Sequence, residues 1–145
     1  MGCLILALPS AAADPGIKAQ FVGGTLSGIS LKTSFRLDLT GAESLLFHVG
    51  NTEIGVPYQK INTVEYGQTV SRRYAEAVLI SPLLLLAKSR KHFVTVGYVD
   101  AEGKQQALVF RVEKSDIRSV LASLEARTGR RIEYQDSEAR MAGKG

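Results

Sequence analysis

The stretch Ser44–Tyr58 reads SLLFHVGNTEIGVPY: two short alternating runs separated by Gly50-Asn51. A Gly-Asn pair between alternating segments is a two-residue hairpin signal, because both residues tolerate the positive φ angles of tight turns. That turn sets the register, placing Val49 opposite Thr52, Phe47 opposite Ile54 and Leu45 opposite Val56. All six side chains then share one face, and five are apolar, so turn chemistry and hydrophobic pattern agree. Pro57 has no amide hydrogen, which marks an edge or the end of pairing there.

Period two continues on both sides of this hairpin. Phe35, Leu37 and Leu39 alternate with Arg36, Asp38 and Thr40, the pattern of a strand with one buried face. Lys60–Val70 (KINTVEYGQTV) reads as a strand anchored by Ile61 or Val64, with Gly67 as a bulge or bend. A second hairpin runs Phe93–Val99, turns through Asp-Ala-Glu-Gly-Lys, and returns as Gln105–Val112. Both of its arms carry apolar residues on two faces, as strands in the middle of a closed or sandwiched sheet do. Only Ser115–Thr128 switches to helical spacing. Ser115 is the expected N-cap, Asp116 suits the positive end of the helix dipole, and Ile117, Val120, Leu121 and Leu124 form one stripe. Arg127 lies in the last turn, Gly129 stands where a left-handed cap is wanted, and Arg130–Tyr134 reads as a short closing strand.

A roll of short antiparallel strands followed by one amphipathic helix is the plan of a small barrel or sandwich plugged at one end. The chain resembles the pleckstrin-homology-like superfold, and more closely a set of small uncharacterised bacterial exported proteins. The closer resemblance is carried by FVGGTL (Phe21–Leu26), YGQTVSRR (Tyr66–Arg73), KSRKHF (Lys88–Phe93), VFRVEKSD (Val109–Asp116) and LEARTGRRIEY (Leu124–Tyr134), and spans about Phe21 to Tyr134. The resemblance implies a mainly β fold, a pleckstrin-homology-like antiparallel β-barrel or sandwich of about seven strands with one C-terminal α-helix. It implies a binding scaffold rather than a reaction.

With 145 residues and 45% of them hydrophobic, the chain has the size and apolar content of one domain. Eighteen Lys and Arg against fourteen Asp and Glu leave a net charge of +4, too dispersed for the concentrated stripe of a nucleic-acid binder. The opening MGCLILALPSAAA (1–13) resembles the end of a secretory signal, an apolar run and Pro9 followed by small residues, with cleavage expected before Asp14. No Lys or Arg precedes the apolar run, so the expected signal is truncated or mis-started. Its removal takes away Cys3, the single cysteine, and with it disulfides, thiol catalysis and cysteine-ligated metal. The domain is thus expected at 14–135, a disordered polar tail at 136–145, and the location as periplasmic or secreted, or cytoplasmic if the leader is not genuine.

No G-x-S-x-G, H-E-x-x-H or Walker A pattern occurs. No catalytic residue, metal ligand or cofactor is therefore assigned. His48 alternates with Phe47 and Val49 and reads as the outward face of a strand, while His92 reads as a solvated strand-start residue. Gly23-Gly24-Thr25 is too short for a phosphate loop and reads as a bend. Asp38, Glu53, Glu65 and Asp100 are carboxylates that sequence alone does not pair. Ser71–Phe93 (SRRYAEAVLISPLLLLAKSRKHF) places eleven uncharged residues, Ala77–Ala87, between two basic clusters. A membrane-spanning helix needs about 20 apolar residues, so this segment is too short for one, and Pro82 interrupts it. Two readings stay open: a buried strand broken at Ser81-Pro82 with its charged ends in water, or a basic rim. In the second, Arg72, Arg73, Lys88, Arg90 and Lys91 converge on an anionic lipid or phosphate group, as loop residues of the resembled superfold do. The expected partners are another protein or peptide, or an anionic membrane surface, and not nucleic acid.

Overall fold

The hairpin at Gly50-Asn51 forms with the register that its turn dictates. Strand β3 (Ser44–Val49) pairs with β4 (Thr52–Pro57) through Val49–Thr52, Phe47–Ile54 and Leu45–Val56. Gly50 takes φ 57° and Asn51 keeps a negative φ, the arrangement of a type II′ turn, which asks for glycine at its first central position. Leu45, Phe47 and Val56 are buried, and Val49 and Ile54 pack against the same core. The computed structural model describes residues 16–25, 29–30, 32–68, 79–80 and 91–134, with 79–80 as backbone. The expected leader, the polar tail and most of Ser71–Phe93 lie outside the described residues.

Strand β1 (Ile17–Gly24) and β2 (Ser34–Asp38) precede this hairpin, and a one-turn 3-10 helix (Tyr58–Lys60) leads from β4 into β5 (Ile61–Gly67). The two-residue β6 (Leu79–Ile80) is followed by the second predicted hairpin, β7 (His92–Val99) and β8 (Gln105–Val112). Its turn is held by Asp100, whose Oδ1 accepts the backbone N–H of Glu102 and of Lys104, each at 2.9 Å, while Gly103 takes φ 80°. Helix α1 (Ile117–Thr128) and the short β9 (Glu133–Tyr134) complete the order.

The strands lie in the order β4-β3-β2-β1-β8-β7-β5-β9, and β6 pairs with β1 at Gly23-Gly24, beyond the reach of β2. Among the described residues the fold is mainly β with one α-helix. Among the described residues the sheet is open rather than closed into a barrel, because β4 and β9 stand at opposite ends of the path. It is also not wholly antiparallel: β9 runs parallel to β5. A parallel neighbour arises because α1 carries the chain back between β8 and β9. Among the described residues there are nine strands, two of them of two residues each. Gly67 ends β5 with a bend at the next residue, while the register shift of that strand falls between Ile61 and Thr63, and another lies between Phe21 and Gly23 in β1.

The sheet curls so that residues distant along the strand order meet in one core. The Phe110 ring on β8 stands edge-on to Phe35 on β2 (centroids 5.8 Å) and to Phe47 on β3 (6.1 Å), and those two rings are 5.3 Å apart. Ile117, Val120, Leu121 and Leu124 of α1 enter the same core as one stripe. Asp116 rather than Ser115 is the N-cap, and it makes no side-chain capping bond. At the other end Gly129 takes φ 69°, ψ 9°, and its N–H bonds the Glu125 carbonyl, the expected left-handed cap. Arg127 Nη2 donates to the Thr40 carbonyl at 3.3 Å, tying the last turn of the helix to the end of β2.

Candidate functional site

Alternation along β1 to β4 sends one set of side chains inward and leaves the other on the outer face. Ala19, Phe35, Leu37, Leu45 and Phe47 enter the core, so Lys18, Gln20, Ser34, Arg36 and His48 stand on the opposite side. Strand pairing then arranges these outward residues in rows. Lys18 lies opposite Arg36, Arg36 opposite His48, and His48 opposite Glu53. One step along the strands, Gln20 lies between Ser34 on β2 and Arg111 on β8. These residues, with Asp38 and Glu113, line an open concavity of about 900 Å³ across five strands.

His48 bridges the two carboxylates of this face. Its Nδ1 is 3.4 Å from Glu53 Oε2 on β4, and its Nε2 is 3.8 Å from Asp38 Oδ2 on β2. Asp38 is buried, and its Oδ1 accepts both the Thr40 hydroxyl at 2.6 Å and the Thr40 N–H at 2.8 Å. The hydroxyl bond is the main reason that the Asp38 carboxyl is held below its usual value, against the opposing cost of burial, with His48 adding to the depression. Glu113 is engaged by Arg111 at 3.4 Å. Each acid of the concavity thus has a partner. Lys18, in contrast, has no ion pair or hydrogen bond at its ammonium group among the described residues. It stands directly across from Arg36.

Each ring nitrogen of His48 thus faces a carboxylate, Glu53 at Nδ1 and Asp38 at Nε2. The same geometry keeps Asp38 and Glu53 from sharing one ion with the imidazole, since they sit at opposite nitrogens. Among the described residues no group of three or more His, Cys, Asp or Glu is placed to hold a metal ion.

His92, expected to be a solvated strand-start residue, is instead half-buried. Its Nδ1 is 2.6 Å from the hydroxyl of Tyr66, and the two rings are nearly parallel at 9° with centroids 5.9 Å apart. Tyr66 is fully buried, and Tyr134 of β9 packs edge-on against it. Burial lowers the His92 pKa, with Lys114 adding to the effect and Glu113 opposing it, and burial likewise raises that of Tyr66. This cluster locks β9 against β5 and β7.

Of the basic rim read from the sequence, Arg72, Arg73, Lys88 and Arg90 lie outside the described residues. Lys91 is half-buried just before β7. Of the four carboxylates left unpaired by the sequence, Asp38 and Glu53 meet through His48, whereas Glu65 is on β5 and Asp100 is in the β7–β8 turn. The grouping of Lys18, Arg36 and Arg111 was missed. Period two places Arg36 outward, but β1 joins β2 only across a turn of irregular sequence, and β8 reaches β1 only through a non-local pairing. Among the described residues no helix is long and apolar enough to cross a membrane. In comparison with known proteins, the chain matches no family model and no curated protein.

Proposed function

We propose that this protein is a non-enzymatic binding module on a pleckstrin-homology-like scaffold, and that it holds another protein or peptide on the outer concavity of β1–β4 and β8. The scaffold reading is supported by the sequence resemblance together with the curled sheet and the C-terminal helix that packs into its core. The leader-like opening supports a place in the cell envelope. One observation carries the functional reading: an open concavity of about 900 Å³, lined by polar and charged side chains from five strands. A volume of that size is at the upper end of ligand sites and accommodates a short segment of chain.

An array of immobilised peptides of varied charge tests it. Saturable binding of a subset is expected, and Ser34→Trp, which fills the concavity from an exposed position, is expected to abolish it. Equal binding by that variant refutes the placement. Turnover of chromogenic esters, phosphoesters or glycosides that disappears in His48→Ala refutes the non-enzymatic reading.

A further inference from the structure

Strands β7 and β8 are buried on both sides, and only one side looks into the core. Val94, Val96 and Tyr98 of β7 and Leu108, Phe110 and Val112 of β8 belong to the core around Phe35 and Phe47. Alternation turns Phe93, Thr95, Ala107 and Val109 to the outer side, yet all four are buried, and so is Val22 at the irregularity of β1. None of these five is part of that core. They form one patch, because Thr95 lies opposite Val109, Val109 opposite Gly23, and Phe93 opposite Arg111. A valine that is fully buried on the outer side of a sheet has a second layer of atoms over it. Among the described elements none supplies that layer: α1 sends its stripe into the inner core, and β6 extends the edge of β1.

The path of the chain points to the cover. Strand β5 ends at Gly67, which pairs with Phe93 near the start of β7, so the chain leaves the sheet and re-enters it at neighbouring points. Between them it reaches β6, which pairs with Gly23 and Gly24 along the edge of β1 that β8 does not occupy. The way back from β6 to β7 therefore spans β1 and β8, a distance of about 14 Å at the usual strand spacing. Residues 81–91 make that connection, and a stretch of that length reaches about 16 Å even when fully helical. The outward connection, 68–78, spans the same strands. The inner side of those strands is filled by the packed core, which leaves the outer side for both crossings. The sequence fits an apolar patch: no charge occurs from 77 to 87, and Leu83, Leu84, Leu85 and Leu86 stand in succession.

We propose that the outer side of β1, β8 and β7 is a docking surface for the chain's own apolar run, residues 77–87, whose leucines seat on Val22, Phe93 and Val109. The run is then held by the domain itself rather than offered to a bilayer or to another protein. The docking surface adjoins the polar concavity at Gln20 and Arg111 and is independent of what the concavity binds.

Methyl NMR on the full chain, with leucine and valine methyl groups labelled, tests this. Nuclear Overhauser contacts are expected from the Val22 and Val109 methyls to at least one of Leu83, Leu84, Leu85 and Leu86, and none from those leucines to Val64 or Val96 of the inner core. In a mixture of labelled and unlabelled chain the contacts stay within one molecule, and vesicles of neutral or acidic lipid leave them unchanged. Leu84→Ser combined with Leu85→Ser is expected to shift the Val22 and Val109 methyl signals and to lower the urea midpoint. Contacts of Val22 and Val109 only to residues outside 77–87 overturn the proposal. So do contacts that pass only between molecules, which make a second copy the cover, and leucine contacts that vanish when vesicles are added, which make a bilayer the preferred occupant. A double variant with unchanged valine signals and an unchanged midpoint also overturns it. If that variant does not fold, the contacts in the unaltered chain decide the matter alone.

Discussion

Replacing Phe110 tests whether β8 and the β2–β3 face are joined through one core. Phe110 on β8 is 1% exposed and touches the rings of Phe35 and Phe47, which stand two and three strands away in the sheet order. Truncation to Ala removes a buried aromatic side chain and leaves a cavity between β8 and the β2–β3 face, a change that costs about 3–5 kcal/mol. Against a total stability of about 5–15 kcal/mol, that leaves a folded but marginal protein. Phe110→Leu separates the contributions. It keeps most of the hydrophobic transfer but loses two edge-on ring contacts worth about 0.5–1.5 kcal/mol each, so about 1–3 kcal/mol is expected. Urea unfolding followed by far-ultraviolet circular dichroism measures both. Combining Phe110→Leu with Phe47→Leu yields a coupling of about 0.5–1.5 kcal/mol, since removing either ring abolishes their mutual contact. If Phe110→Ala costs less than about 1 kcal/mol, or the double variant is additive within about 0.3 kcal/mol, the rings do not meet as described and the sheet does not curl onto itself.

A Cβ at Gly24 would lie 2.8 Å from the Ala107 carbonyl oxygen, a backbone atom fixed by pairing to Thr25. Gly24→Ala is therefore expected to lower stability by about 1–3 kcal/mol in the same urea assay, and an unchanged midpoint would refute the close approach of β1 to β8. Stability is also expected to fall with acid in two stages. Because burial lowers the His92 pKa below the ordinary imidazole value of about 6.5, the folded state resists that protonation, and stability declines as pH drops below that value until the folded value is passed. Asp38, whose folded pKa is held below the ordinary aspartate value by its bonds to Thr40, contributes stability that is full above that ordinary value and is lost as pH falls through the folded one. Thermal unfolding across pH 2–8 reads both stages. His92→Gln flattens the upper stage. Asp38→Asn flattens the lower and costs roughly 1–3 kcal/mol at neutral pH through the weakened bonds to Thr40. An acid profile identical to that of the unaltered protein in either variant counts against its assignment.

The two hairpins and the helix were legible because each is decided within about twenty residues. Gly50-Asn51 and Asp100–Lys104 fix register by turn geometry, and Gly129 ends a stripe of helical period. What misled was context. Gly67, read as a bulge or bend, ends β5 with a bend at the next residue, while the register shift of that strand falls between Ile61 and Thr63. His92 looked solvated because it adjoins a basic cluster, but its neighbour in space is Tyr66, twenty-six residues earlier.

By itself the sequence determined a mainly β chain with local hairpins and one capped helix, because alternation, turn residues and caps act over short distances. Only the tertiary structure decided that β1 lies between β2 and β8, that β5 leaves β4 for β7, and that the sheet stays open. That pairing is also what gathers Lys18, Arg36, His48 and Arg111 on one face. Those side chains are spread over more than ninety residues of chain. Nothing in their own segments encodes the meeting, because it is the burial of the opposite face in a shared core that sets which strands are neighbours.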